Sequence, residues 1–218
     1  MGDKVAVIVG VGPGVGAATA RRFGRAGYDV ALIARSAAHL EELGTELQGH
    51  GVTTGWTPVD IADAPALRAA IERFGAHLGR IDVLHYNPSV FRQAKPLRLT
   101  VDELLEDLRV GVAGLLTAVQ AARPVMPRGA RVLATGSMAA DEPWNEAASL
   151  GVQKAALRNL ITSLDTTLAP DGIRAMSLTV LGTLAAEGRF APDRVADALF
   201  AAAHTPDEDW RTEVSYSG

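Results

Sequence analysis

The chain has 218 residues, 48% of them hydrophobic, with 25 acidic against 21 basic side chains and a formal net charge of −4. That length supports one substantial core, while the acidic balance and dispersed arginines exclude the basic surface that nucleic-acid binding requires. Zero cysteines exclude disulfides and thiolate chemistry, the five histidines lack metal-ligand spacing, and no leader or membrane-length apolar run is present, so a cytoplasmic chain with no metal and no membrane partner is expected.

The first apolar run, Val5 to Val9, has strand length and feeds Gly10-Val11-Gly12-Pro13-Gly14-Val15-Gly16, after which an alanine-rich segment with helical potential begins at Ala17. Strand, glycine turn and helix together make a phosphate cradle. The glycines let the backbone approach a pyrophosphate, and the free N–H groups and positive dipole end of the helix face the anion. A Walker-type loop is disfavoured because Ala17-Ala18 follow Gly16 where Lys-Ser/Thr would be needed.

Gly27 is expected to stop that helix, and Val30 to Ala34 forms a second strand. In NAD-binding versions of this unit an acid about 20 residues past the glycines holds the ribose 2′-hydroxyl. Here Ala34 takes that place and Arg35-Ser36 follow, which favours NADP(H) and leaves NAD(H) possible. The alternative is a surface Arg35 with Ser36 capping the next helix, Ala37 to Leu47.

Val52 to Val59 reads as a third strand, and Asp60-Ile61 as the opening of a helix that ends near Gly79. Asp60 has two readings, helix cap and partner for an adenine amino group, and the sequence leaves both open. Ile81 to Tyr86 is a fourth strand leading to Asn87-Pro88-Ser89. Thr100 and Glu103 form a capping box for a long helix running through Leu104, Leu108, Val112, Leu115 and Val119, with Gly111 and Gly114 as weak points or close-packing sites.

Ala130 to Thr135 supplies a fifth strand that delivers Gly136-Ser137 to its carboxyl end, where ligands of open parallel sheets gather. A long helix from Ala147 to Leu168 carries Lys154, Ile173 to Val180 is a sixth strand, and a helix from Pro192 to Ala203 precedes a last strand, Thr212 to Tyr216. The expected architecture is one doubly wound, Rossmann-type α/β domain over 1–218, with about seven mostly parallel strands and helices on both faces.

On these residues the chain resembles the short-chain dehydrogenase/reductase family along nearly its whole length. The Gly10-x-x-x-Gly14-x-Gly16 loop, Arg35, Asp60 and Asp82-Val83-Leu84 match the cofactor half of the family pattern. The resemblance implies NADP(H) contacts from Gly10, Gly12, Gly14, Val15, Gly16, Arg35, Ser36, Asp60, Ile61, Asn87, Lys154 and Gly182, with Ser137 and Lys154 as catalytic residues. It also implies pairing into dimers or tetramers through the helices beginning near Val101 and Ala147.

The catalytic half departs from the pattern. Leu150 stands four residues before Lys154, where the family places its proton-donating tyrosine, Gly111 replaces an asparagine, Tyr86-Asn87-Pro88-Ser89 replaces Asn-Asn-Ala-Gly, and Leu181-Gly182 replaces Pro-Gly. Leucine donates no proton at any pH. Tyr86, His85 and Glu142 are candidate substitute donors that lack the spacing of a relay, with packing or loop roles as the alternative; a Ser137-Lys154 hydrolytic dyad is disfavoured, and the segment after Gly182 leaves little chain for a substrate lid. The expected function is an NADP(H)-dependent oxidoreductase of an unidentified carbonyl or alcohol with a degenerate proton relay. The alternatives are a silent cofactor-binding pseudoenzyme and a non-redox biosynthetic enzyme on the same fold.

Overall fold

The computed structural model describes residues 4–218, so residues 1–3 of the expected domain lie outside the described residues. Seven strands form one sheet: β1 Val5–Val9, β2 Asp29–Ala34, β3 Thr54–Pro58, β4 Val83–Tyr86, β5 Arg131–Ser137, β6 Arg174–Val180 and β7 Glu213–Tyr216. Their spatial order is β3-β2-β1-β4-β5-β6-β7, and every pair is parallel. The chain winds outward from β1 to β3, then returns to β4 on the other side of β1. The crevice at that reversal, over the carboxyl ends of β1 and β4, is where open sheets of this kind bind ligands.

Parallel strands need crossovers, and here these are α1 Val15–Arg25, α2 Ala37–Gly49, α3 Ala64–Leu78, α4 Val101–Leu108, α5 Gly114–Ala122, α6 Ala148–Leu168 and α7 Pro192–Ala203. Alternation along β1 sorts the core into two layers. Val5, Val7 and Val9 face the layer of α3, α5 and α6, with Ile71, Leu115 and Ile161. Ala6 and Ile8 face α1, α2 and α7, with Phe23, Leu40 and Leu199. Fully burying each such large side chain contributes about 2 kcal/mol.

Four expectations are corrected. The first helix begins at Val15, inside the glycine loop, rather than at Ala17; it stops as expected, with Gly27 at φ of +86° turning the chain toward β2 after Arg25. The third strand begins only at Thr54, because the Val52 N–H is held by Leu47 O at the end of α2. Asp60 does not open α3: its Oδ1 accepts from Ala62 N at 3.0 Å in a preceding turn, and Asp63 caps the helix by accepting from Ala66 N at 3.0 Å. The long helix after Thr100 is interrupted by a wide π-type turn, Arg109–Ala113, between α4 and α5. A wide turn shifts the carbonyl register, and Val110 O within it accepts from the Tyr86 hydroxyl.

Asp165 ties α6 to the start of β6. Its carboxylate accepts two bonds from the Arg174 guanidinium, at 2.8 and 2.9 Å, and one from Ala175 N at 2.7 Å. Replacing Asp165 with Ala leaves both donors unpaired at a nearly buried position and is expected to cost about 3 kcal/mol, read as a lower urea midpoint at unchanged slope.

Candidate functional site

β1 is followed by Gly10, whose φ of +88° lets the chain leave the sheet, and whose carbonyl then faces the incoming α1. A Cβ at Gly16 would lie 2.6 Å from that carbonyl and 2.9 Å from Val11 Cα, so the helix start packs on the strand end only without a side chain there. No side chain caps α1. A Cβ on Gly12, in contrast, would meet nothing within 4 Å, so the loop presents bare backbone to open space.

That space is a cleft of about 1130 Å³. Its walls are Gly10 to Pro13, the β2 end with Ala34, Arg35, Ser36 and His39, the β3 end with Asp60 and Ile61, and Asn87 to Phe91 with Val110. The structure therefore brings together Gly10, Gly12, Arg35, Ser36, Asp60, Ile61 and Asn87, while Gly14, Val15 and Gly16 form the adjoining start of α1. Ser137, Lys154 and Gly182 are not among the residues lining it. Arg35 is exposed and makes no ion pair or hydrogen bond among the described residues, whereas Ser36 caps α2 by accepting from His39 N at 3.3 Å. The capping role of Ser36 is thus met, and its hydroxyl, which accepts there, keeps a proton to donate.

Behind the cleft lies a chain of hydrogen bonds that the sequence did not disclose. Asn87 Nδ2 donates to Gly10 O at 2.9 Å, so its Oδ1 is left to accept from Thr135 Oγ1, at 2.8 Å. With its one proton given to Asn87, Thr135 Oγ1 can only accept from His85 Nε2, at 2.9 Å. His85 is therefore a neutral Nε2–H tautomer, and its Nδ1 is buried without a partner. Complete burial, with help from the Lys154 charge, pushes its pKa down to about 3. The Thr135 carbonyl accepts from Lys154 Nζ at 2.8 Å, and burial lowers that ammonium to about 8.

The residues expected to move protons are placed differently from one another. The Tyr86 side chain is fully buried and its hydroxyl is engaged by Val110 O inside the helix layer; burial also raises its pKa, so it does not serve as a donor toward the cleft. Ser137 Oγ accepts from Ala139 N at 3.2 Å. Glu142 is exposed, and Leu150 is half-buried on the first turn of α6.

Gln153, which sequence reasoning passed over, is fully buried beside Gly111, where an added Cβ would lie 2.5 Å from its Oε1. Its amide holds the Val90 backbone by both ends, donating to Val90 O and accepting from Val90 N at 3.0 Å each. Nearby, Asp107 is 1% exposed and accepts from Ser149 Oγ at 2.6 Å and from the Arg92 guanidinium at 2.9 to 3.2 Å. The segment after β4 that forms one wall of the cleft is thus fastened to α4 and α6. In the sequence, the one mark of this fastening is a glutamine next to the lysine on the buried face of α6.

A family model for the short chain dehydrogenases matches residues 4–187. The chain belongs to the short-chain dehydrogenase/reductase family. The oxidoreductase UcpA of Escherichia coli is 32% identical over 181 residues, which cover 80% of this chain and 67% of that protein. The short-chain dehydrogenase/reductase SDRA of Arabidopsis thaliana is 26% identical over 77% of this chain and 66% of its own, so the chain spans about two thirds of these relatives. A metagenomic short-chain oxidoreductase in complex with NADP superposes with a TM-score of 0.88 at 26% identity, covering 98% of this chain and 96% of its own. A short chain dehydrogenase from Burkholderia cenocepacia in complex with NADP gives 0.88 at 27%, over 99% and 96%.

Among the described residues no helix is long and apolar enough to cross a membrane, and no cluster of three or more His, Asp or Glu is placed to hold a metal.

Because the folded value of His85 lies below the ordinary value of 6.5, its contribution to stability is complete above pH 6.5 and is lost as pH falls toward 3. Within that window, urea denaturation of His85→Gln is expected to show a pH slope smaller by about 1.4 kcal/mol per unit, the effect of one proton.

Proposed function

We propose that this short-chain dehydrogenase/reductase is a cytoplasmic NADP(H)-binding oxidoreductase of a carbonyl or alcohol substrate, with a proton relay that lacks its side-chain donor. The observation that carries the reading is the unpaired Arg35 on the wall of the glycine-loop cleft, with no carboxylate at Ala34 to repel a 2′-phosphate. The donor set fits the cofactor: bare backbone at Gly12, the uncapped start of α1 for the pyrophosphate, Arg35 and Ser36 for the 2′-phosphate, and Asp60 for the adenine amino group. The NADP-complexed structures of the neighbours support the same assignment.

When bound, NADP(H) supplies or takes the hydride. Lys154, with one N–H given to Thr135, has two left for a ribose hydroxyl, and Ser137 Oγ retains its proton for a substrate oxygen. Position 150 contributes no proton, so the alkoxide formed by hydride transfer takes one from solvent. A silent, cofactor-binding role is the second reading, favoured by Leu150 together with the Tyr86 hydroxyl held by Val110 O. Self-association through α4 to α6 is proposed from the exposed Val101, Leu105, Leu116 and Val152 on those helices.

Three measurements test these readings. Gly12→Val is expected to weaken NADPH binding at least about tenfold in calorimetry while leaving the melting temperature unchanged, since the added methyls fill only the space a phosphate would use. Arg35→Glu is expected to weaken NADPH about tenfold or more and NADH little. Leu150→Tyr is expected to raise NADPH oxidation over a carbonyl panel by about a hundredfold. Wild-type turnover at background, in an assay where an active relative reacts, overturns the oxidoreductase reading in favour of the silent one.

A further inference from the structure

Two aromatic rings stand exposed where the loops after β4 and β5 meet. Phe91 is on the wall of the cleft and Trp144 on the loop after Ser137, with ring centroids 6.0 Å apart and planes tilted by 30°. Backbone joins the two loops, Ala148 N donating to Ala94 O at 3.2 Å. Rings elsewhere already carry a cation: Arg22 lies over Phe200, Arg131 and Arg174 over Trp210, and Arg189 over Phe190. Among the described residues no cation lies over Phe91 or Trp144.

Beside this pair, carboxylates outnumber the guanidinium in both arginine clusters. Arg92, next to Phe91, is held by Glu103, Glu106 and Asp107, and Arg158 by Asp141 and Glu213. Glu146 is paired with Lys95 at 3.0 Å. Glu142, exposed two residues before Trp144, has no side-chain partner among the described residues. The cations of these segments that no carboxylate holds, Arg98 and Lys154, do not line the cleft, and the Lys154 ammonium is turned to Thr135 O. Free aromatic faces near an unpaired carboxylate attract a cation.

The missing donor at Leu150 bears on the same choice of substrate. When a hydride adds to a neutral carbonyl, the C=O π pair moves to oxygen, and the alkoxide then needs a proton that leucine does not supply. When it adds to the carbon of an iminium, the C=N π pair moves to nitrogen and cancels the positive charge. A C–H bond has formed, the π bond is gone, the nicotinamide is oxidised, and a neutral amine results with no proton entering. We propose that the site reduces cationic iminium substrates, with Phe91, Trp144 and Glu142 recognising the charge. The inference rests on the NADP(H) oxidoreductase reading above and names the substrate class of that site.

The probes are the N-methyl dihydroisoquinolinium cation, whose charge is permanent, and α-tetralone, a neutral ketone of similar shape. Calorimetry on the full chain loaded with NADP+, where no reduction occurs, is expected to show the cation bound at least about tenfold more tightly than the ketone. Trp144→Leu is expected to weaken the cation about fivefold or more, with the ketone and NADP+ within about twofold of wild type. In NADPH oxidation, with each rate taken relative to its uncatalysed reaction, the cation is expected to exceed the ketone at least about a hundredfold. Leu150→Tyr is expected to raise the ketone about a hundredfold and the cation less than about twofold. Equal affinity or equal acceleration for the two probes, or a cation bound without being reduced, overturns the inference and leaves the cofactor reading standing. Absence of NADP+ and NADPH binding, with the protein folded by circular dichroism, overturns both.

Discussion

A carbonyl oxygen can only accept a hydrogen bond, and from that the orientation of most of the site follows. Gly10 O faces Asn87, so the amide must present its nitrogen there; the remaining oxygen takes the Thr135 proton, and Thr135 in turn takes the His85 proton. One contact at 2.9 Å between the ends of β1 and β4 thereby sets a polarity that runs across three strands. The glycine loop is held at the crevice by this chain as much as by its own glycines, and Lys154 is joined to it through the other polar atom of Thr135. The cost is a fully buried histidine with one bare nitrogen, which is tolerable while the ring is neutral.

The fold was legible because its signals are periodic and local. Apolar runs of strand length alternate with segments closed by Gly27, Gly79 and Gly172, and such alternation admits few topologies once crossovers are right-handed. Where reading failed, either the local backbone path or a contact from elsewhere in the chain decided the outcome. Asp60 and Asp63 are equally good caps in isolation, and only the backbone path between them selects the second. The wide turn at Arg109–Ala113 depends on a tyrosine from β4, and Gln153 matters because of a backbone segment 63 positions away. Long-range partners of this kind leave no mark on local spacing.

Of the site, the walls of the cleft were legible, since Gly10, Gly12, Arg35, Ser36, Asp60, Ile61 and Asn87 do come together there. Ser137, Lys154 and Gly182 do not line it. The structure adds that Tyr86 is committed inside the helix layer, so a hydroxyl near the right place in sequence is not a hydroxyl near the right place in space.

The packing of Gly111 against Gln153 carries a consequence for how this molecule can change over time. An added Cβ at 111 would lie 2.5 Å from Oε1 and 2.8 Å from Cγ of a side chain whose amide is fixed at both ends. Neither position can vary freely while the other is held: bulk gained at 111 demands bulk lost at 153, and loss at 153 releases Val90 and the wall of the cleft. The two behave as a single heritable unit, and a lineage that entered this arrangement would have to leave it by paired substitutions, through intermediates less stable than either end.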